Sequence, residues 1–154
     1  MRVSVIGGGS VSDEIYETAV ALGRELGERG HTVVCGGLGG VMEAVCKGAR
    51  DAGGHTIGIL PGPDREAAND YVETAIATDM GNARNVVVVL NGDATIAIDG
   101  STGTLSEIGH ALDFGRPVVG LDTHDVPGLD PVETPVEAVE YVERVVNSTD
   151  NSAG

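Results

Sequence analysis

Tryptophan is absent, phenylalanine occurs once and tyrosine three times. A surface that binds single strands by stacking bases needs such rings, so that class is disfavoured from the outset. Lys47 is the only lysine among nine Lys and Arg side chains, set against 24 Asp and Glu, for a net charge of −15. A surface this acidic repels nucleic acid and anionic membrane alike. Acid scattered along the chain with almost no lysine fits a protein of a high-salt cytoplasm, where screening mutes self-repulsion; an ordinary acidic protein is the alternative. No apolar run approaches the roughly 18 residues of a membrane span. Met1-Arg2 leads at once into a short apolar run and glycines, the pattern of a first strand and not of a secretion signal. The expected location is cytoplasmic, with neither membrane nor nucleic acid as partner.

There are two cysteines, Cys35 and Cys46, in neither a C-x-x-C nor a zinc-knuckle spacing. Their apolar neighbours predict small buried thiols. Four scattered histidines offer no metal-ligand spacing, so no metal is expected. No Gly-Lys-Ser/Thr occurs, which removes a Walker loop, and no serine sits in a nucleophile elbow. Lys47 reads as a solvated helix side chain, and no lysine is placed for a Schiff base.

What is present is an alternation. At 154 residues and 41 % hydrophobic the chain is long enough for one domain with its own core. Short apolar runs at Arg2–Ile6, Thr32–Cys35, His55–Leu60, Tyr71–Ala77, Ala94–Ile98 and Pro117–Leu121 predict strands. Helical spacing between them predicts helices from Asp13 to Arg29 with Ser12 as N-cap, across Met42 to Ala52, and from Thr104 to Phe114. Val86 to Leu90 has strand composition, but Met80, Ala83, Val87 and Leu90 fall at helical spacing, with Asp79 as cap and Gly92 as stop. A helix is the reading adopted. Being apolar nearly all round, it calls for burial on both sides, hence a homodimer. Thr134-Pro-Val-Glu137 is a capping box that opens a last helix to about Val146. The expected fold is a Rossmann-like, doubly wound parallel sheet in three layers, α/β/α, as a single domain. Residues 1–147 form the nucleotide-binding domain in this reading, and 148–154 a polar disordered tail.

Three glycine-rich loops follow three of the strands: Gly7 to Ser10, Gly36 to Gly40, and Gly100 to Gly103. At the carboxyl edge of a parallel sheet such loops let backbone N–H groups approach an anion. Each loop alone is explained by a tight turn; three on one edge point to a nucleotide or sugar phosphate. Gly7-x-Gly9-x-x-Ser12 is an imperfect dinucleotide fingerprint, and no acid ends the second strand to hold a ribose. The candidate phosphate- or nucleotide-binding set is Gly8, Gly9, Ser10, Gly36, Gly37, Gly39, Gly40, Met42, Asp99, Gly100, Ser101, Thr102, Gly103 and Thr104. Glu107 comes one helical turn after the third loop. A carboxylate beside an anion cradle suggests chemistry on something attached to the phosphate. Thr104-Leu-Ser-Glu107 equally fits a capping box. Arg84, leading into an apolar helix, calls for an anion partner, with a surface salt bridge as the alternative.

These residues together resemble the LONELY GUY (LOG) family of cytokinin-activating phosphoribohydrolases, from Met1 to about Leu121. Asp99-Gly100-Ser101-x-Gly103-Thr104-x-x-Glu107 lies over that family's Pro-Gly-Gly-x-Gly-Thr-x-x-Glu, and Gly36-Gly37-Leu38-Gly39-Gly40-Val41-Met42 over its Gly-Gly-x-x-Gly-x-Met. Gly53-Gly54 through Gly58 to Pro61 follows a third motif with one extra residue. The resemblance places the catalytic arginine on Arg84 and the motif glutamate on Glu107, the candidate catalytic residue that orients or deprotonates water. It implies hydrolysis of the N-glycosidic bond of a nucleoside 5′-monophosphate, with no cofactor required and phosphate or an AMP-like nucleotide as the bound group. Arg84-Asn85 stands where LOG enzymes usually carry Arg-Lys, Asp99 replaces the motif proline, and Ser101 replaces a glycine. Asn69, Gly81, Arg84-Asn85 and Thr104-Leu105-Ser106-Glu107 look more like a compact prokaryotic branch, which is similar to the molybdenum-cofactor carriers. That branch implies the second function, a non-catalytic carrier of a phosphorylated pterin. A DNA-binding relative of the same fold is a third reading, opposed by the charge.

Overall fold

A computed structural model describes the backbone of residues 1–153 and the side chains of residues 1–150. Seven strands form one sheet: β1 (Arg2–Gly7), β2 (Thr32–Cys35), β3 (Thr56–Leu60), β4 (Thr74–Ala77), β5 (Ala94–Ile98), β6 (Val118–Leu121) and β7 (Asp130–Val132). Their order is β4-β3-β2-β1-β5-β6-β7, and every pairing is parallel. Five helices cover it: α1 (Asp13–Glu28), α2 (Val41–Asp51), α3 (Arg84–Leu90), α4 (Thr102–Asp113) and α5 (Pro135–Ala153). This is the expected Rossmann-like α/β/α architecture.

The two-residue period of the strands sorts the core. Val3, Val5, Val33, Cys35, Ile96 and Ile98 pack with α1, α2 and α5. Ile6, Val34, Ile57, Ile59 and Ala97 pack on the other side with Val88 and Val89 of α3 and Ile108 and Ala111 of α4. Helices α1 and α2 cross at glycines: a Cβ on Gly23 would lie 2.0 Å from the Val45 carbonyl, and one on Gly48 2.0 Å from that of Val20. The chain winds outward from β1 to β4, then returns to place β5 on the far side of β1. The loops after β1 and β5 therefore diverge, leaving a crevice at their carboxyl ends where open α/β sheets hold ligands.

Several boundaries differ from the sequence reading, each for a local reason. Tyr71 is not in β4, because the Asn69 side chain accepts from the Tyr71 N–H and donates to the Leu38 carbonyl, making a turn. Asp79 does not cap the next helix. It has φ of +54°, a conformation an N-cap does not adopt, and residues Gly81–Ala83 form a 3₁₀ turn before α3 begins at Arg84. Gly92 lies just beyond the Asn91 C-cap and serves close packing, since a Cβ there would meet Ser4 Oγ at 2.1 Å. Helix α3 is buried on one side only: Val88 and Val89 are fully enclosed, while Leu90 is 46 % exposed. Strand β7 was not foreseen. The Thr134 half of the capping box forms, with the Glu137 N–H on Thr134 Oγ1 at 3.2 Å, while the Glu137 carboxylate reaches one residue further back and accepts from the Glu133 N–H at 3.0 Å. Helix α5 then continues to Ala153, so the expected tail is helical through that residue; Gly154 lies outside the described residues.

Candidate active site

The crevice between β1 and β5 closes into a cavity of about 170 Å³. Gly7, Gly8 and Gly9 form one wall, Gly36 and Met42 a second, Arg84 with Asn82 and Asn85 a third, and the start of α4 a fourth. From α4 come Gly103, Thr104 and Glu107, with Ser101 just before it. The three loops and three of the helices, α2, α3 and α4, thus bring Gly8, Gly9, Gly36, Met42, Arg84, Ser101, Gly103, Thr104 and Glu107 of the candidate set to one place.

The remaining candidates do not line it. Gly40, with φ of +63°, presses on the first loop: a Cβ would lie 2.2 Å from the Gly8 carbonyl, which accepts the Val41 N–H at 2.9 Å. Gly37, with φ of +78°, packs on Gly58 and Leu60, and Gly39 lies against the Gly9 carbonyl. The second glycine loop therefore shapes the first loop more than it faces a ligand. Gly100, with φ of +113°, folds over Thr104, and Asp99 is bound through its carbonyl to Thr123 Oγ1 at 2.6 Å. Ser10 and Thr102 stand on the exposed rim.

Helix α4 starts two residues earlier than Thr104. Ser101 is its N-cap and makes no side-chain capping bond, while its carbonyl accepts from Leu105 at 3.1 Å. Thr104 is the third helical residue and buried, so the Thr104–Glu107 capping box does not form. The leading N–H groups of a three-turn helix are left facing the cavity mouth, positively polarised by the aligned peptide dipoles. His124 Nε2 holds the Ser101 carbonyl from behind at 3.0 Å.

Arg84 and Glu107 are 7 % and 8 % exposed. Arg84 donates through Nη1 to Asn85 Oδ1, and its Nε is buried with no partner. A buried donor left unpaired is costly, and the group that satisfies it is missing from the protein itself. Burial pulls the Arg84 pKa down, opposed by Glu107 and Cys35. Burial pushes the Glu107 carboxyl up to about 7, with Arg84 the opposing influence. A carboxyl poised there exchanges a proton near neutrality, as a general acid or base requires. Asn82 and Asn85 are not among the expected site residues, because asparagine near a helix start reads as a cap or a solvated side chain; Asn85 stands out only as a departure from the LOG family's Arg-Lys.

A larger cleft, about 630 Å³, lies beyond β6 and is rimmed by Glu14, Asp122, Asp125 and Glu133 with no Lys or Arg in its lining. Its charge is wrong for a phosphate. Cys35 and Cys46 are buried, with their sulfurs 3.5 Å apart. Among the described residues, no three His, Cys, Asp or Glu side chains group to hold a metal.

Comparison with known proteins adds four findings. Residues 1–149 match the model of the SLOG cluster4 family. An uncharacterized protein of Archaeoglobus fulgidus is 46 % identical over 142 residues, covering 92 % of this chain and 93 % of that one. The cytokinin riboside 5′-monophosphate phosphoribohydrolase of Mycobacterium tuberculosis is 37 % identical over 118 residues, 74 % of this chain, and the match spans only 60 % of that enzyme. Among solved structures, the molybdenum cofactor binding protein of Rippkaea orientalis superposes with a TM-score of 0.89 at 32 % identity, covering 94 % of this chain and 96 % of that one.

Proposed function

The chain belongs to the SLOG cluster4 family, and on that footing we propose that it hydrolyses the N-glycosidic bond of a nucleoside 5′-monophosphate. The observation that carries this reading is the buried Glu107 carboxyl, tuned to about 7, in the same cavity as an unpaired Arg84 donor. A site that only gripped phosphate would gain nothing from a carboxylate there, because the two negative groups repel.

In this mechanism the phosphate sits at the N-terminus of α4, beside the glycines after β1, and Arg84 neutralises it. The cavity is smaller than the roughly 300 Å³ at which sites for whole drug-sized ligands begin. It takes the ribose phosphate end, and the base lies toward the mouth. Glu107 accepts a proton from water as the water oxygen bonds to C1′; the C1′–N bond breaks, its electron pair leaves with the base, and the base takes up the proton that Glu107 removed, which returns Glu107 to its starting form. Negative charge on Glu107 also favours the oxocarbenium character that develops on the sugar. No cofactor enters this scheme.

The test is incubation with a panel of nucleoside monophosphates in high salt, followed by chromatography for free base and ribose 5-phosphate. Base release supports the hydrolase. A specific observation favours a second reading: Asn85 and Asp99 depart from the phosphoribohydrolase pattern, and the Rippkaea orientalis neighbour is a cofactor-binding protein. A non-catalytic carrier of a phosphorylated pterin binds tightly and releases nothing from the panel. We propose too that a second copy covers the outward side of α3, where Leu90 is exposed. Sedimentation at several concentrations measures whether the chain is a homodimer.

A further inference from the structure

We propose that Asn85 is a positioning and specificity residue of this site: its carboxamide oxygen holds the Arg84 guanidinium, and the amide NH₂ left over reads an acceptor oxygen on the bound anion. The proposal rests on the reading above only for the anionic character of the ligand, not for the hydrolysis.

The orientation of the carboxamide follows from chemistry. A guanidinium has donors and no acceptor, so the atom of Asn85 that faces Arg84 Nη1 is the oxygen. The NH₂ group then points the other way. It lies toward the first turn of α4, where a Cβ on Gly103 would sit 3.9 Å from Asn85 Nδ2. Gly103 leaves that space open, and both residues line the cavity. Asn85 is 8 % exposed and Arg84 7 %, so neither is a solvated side chain that meets the other by chance. Three kinds of donor converge on one small volume: the amide of Asn85, the buried Nε of Arg84, and the leading N–H groups of α4. Glu107 is the only carboxylate among the lining residues. An oxyanion satisfies that arrangement, and a neutral ligand with fewer acceptors leaves donors unpaired.

Asparagine is suited to this double task. Aspartate would hold Arg84 equally well, yet it would cancel the guanidinium charge and turn an acceptor toward the ligand. Alanine would free Arg84 to move. The guanidinium position matters in turn for Glu107, on which Arg84 from α3 is the acting charge; Glu107 itself bears on the Cys35 thiol of β2, which Arg84 also faces.

The experiment uses the full chain and the variants Asn85→Ala and Asn85→Asp, with inorganic phosphate as the probe. Without ligand, the Glu107 carboxyl is titrated by ¹³C NMR, its signal assigned by loss in Glu107→Gln. In Asn85→Ala the midpoint rises by about half a pH unit or more, because a loosened Arg84 favours the carboxylate less. Phosphate affinity falls about tenfold in Asn85→Ala and about a hundredfold in Asn85→Asp at the same ionic strength, the loss of a charge-assisted donor and then the addition of a like charge. Circular dichroism confirms that each variant is folded, and Asn85→Ser replaces any that is not. An unmoved Glu107 midpoint overturns the positioning role. Unchanged phosphate affinity, or a wild type that takes no phosphate, overturns the ligand-reading role. A wild type that binds phosphate but releases no base sinks the hydrolase while leaving Asn85 in place.

Discussion

Arg84 and Glu107 face the same buried cavity, yet Arg84 gives its hydrogen bond to Asn85 and not to the carboxylate. Each still acts on the other's ionisation: Arg84 holds Glu107 below where burial alone would put it, and Glu107 supports the charge of Arg84. The pair is thus matched in charge without being spent on a direct ion pair. The guanidinium is left to an incoming anion and the carboxyl to a proton transfer. From this relationship comes the mechanistic expectation that the two residues fail differently.

Glu107→Gln keeps the size and a hydrogen-bonding end but cannot take a proton from water. Base release from the best nucleoside monophosphate should fall by about 10² or more, the usual scale for loss of a general base. AMP affinity should hold or rise slightly, since the anion no longer meets a carboxylate. Isothermal titration and chromatographic turnover on one preparation measure both. Unchanged turnover removes Glu107 from the chemistry.

The same carboxyl should leave a mark on stability. Its folded pKa, about 7, is raised from 4.5 by burial, so the native state keeps a proton that the unfolded chain has already lost. Stability from this group therefore falls as pH rises from about 4.5 to 7, and the full cost, on the order of 3 kcal/mol, stands above that window. Glu107→Gln should be more stable than the wild type at pH 8 and close to equal at pH 4. Urea unfolding of both proteins at those two values decides it, because the other acids cancel in the difference.

Two glycines of one loop should separate ligand contact from packing. A Cβ on Gly36 would lie 2.8 Å from Arg84 Nη2 and 2.6 Å from Met42 Sδ, both ends of flexible side chains, and Gly36 has no positive φ. Gly36→Ala should fold nearly as well as the wild type while losing about tenfold or more in AMP affinity, as Arg84 is pushed off its seat. Gly40→Ala meets backbone at 2.2 Å with φ of +63°, so its cost falls on the fold, several kcal/mol by the usual scale of strain and overpacking. Thermal melts set beside binding isotherms distinguish the two.

That contrast also marks how far the sequence could be read. Alternating apolar runs and their glycine stops located six of the seven strands: five are buried on both faces and read as continuous apolar runs, and the edge strand β4 is half-exposed but still apolar on one side. Strand β7 escaped: Asp130-Pro131-Val132 is three residues long, mostly exposed, and contains a proline tolerated only at an edge. Glycine is silent about its reason. Gly36 and Gly40 look alike in the chain, yet one clears space for a guanidinium and the other for a carbonyl. Likewise Thr104 and Glu107 carry the spacing of a capping box, and only the three-dimensional start of α4 at Thr102 shows that both are buried in a cavity wall. Asn85 stands out in the chain only as a departure from the family's Arg-Lys, which says nothing of a role, because the role proposed for it needs a partner one residue away and a glycine brought alongside by folding.

Net charge supplies the last test. With 24 acidic against nine Lys and Arg side chains, the folded surface carries dense like charge, and compaction brings those charges closer than in the unfolded chain. Among the described residues, carboxylates meet cationic or histidine side chains at Glu25, Glu140 and Glu143 around Arg29, at Glu143 with His31, and at Glu73 with His55. Raising salt from about 0.1 M to 1 M shortens the screening length from about 10 Å to 3 Å, which removes most of the repulsion between exposed groups. The melting temperature should therefore climb steeply over that range with potassium chloride, a salt whose effect is mainly screening, and continue to rise more gently beyond it. Phosphate binding should move the other way, weakening as salt masks Arg84 and the α4 terminus, though less than an exposed site would because the cavity is buried. A melting temperature that is flat or falls with salt would show that the acidic surface is neutral for folding, and would remove the argument for a saline cytoplasm.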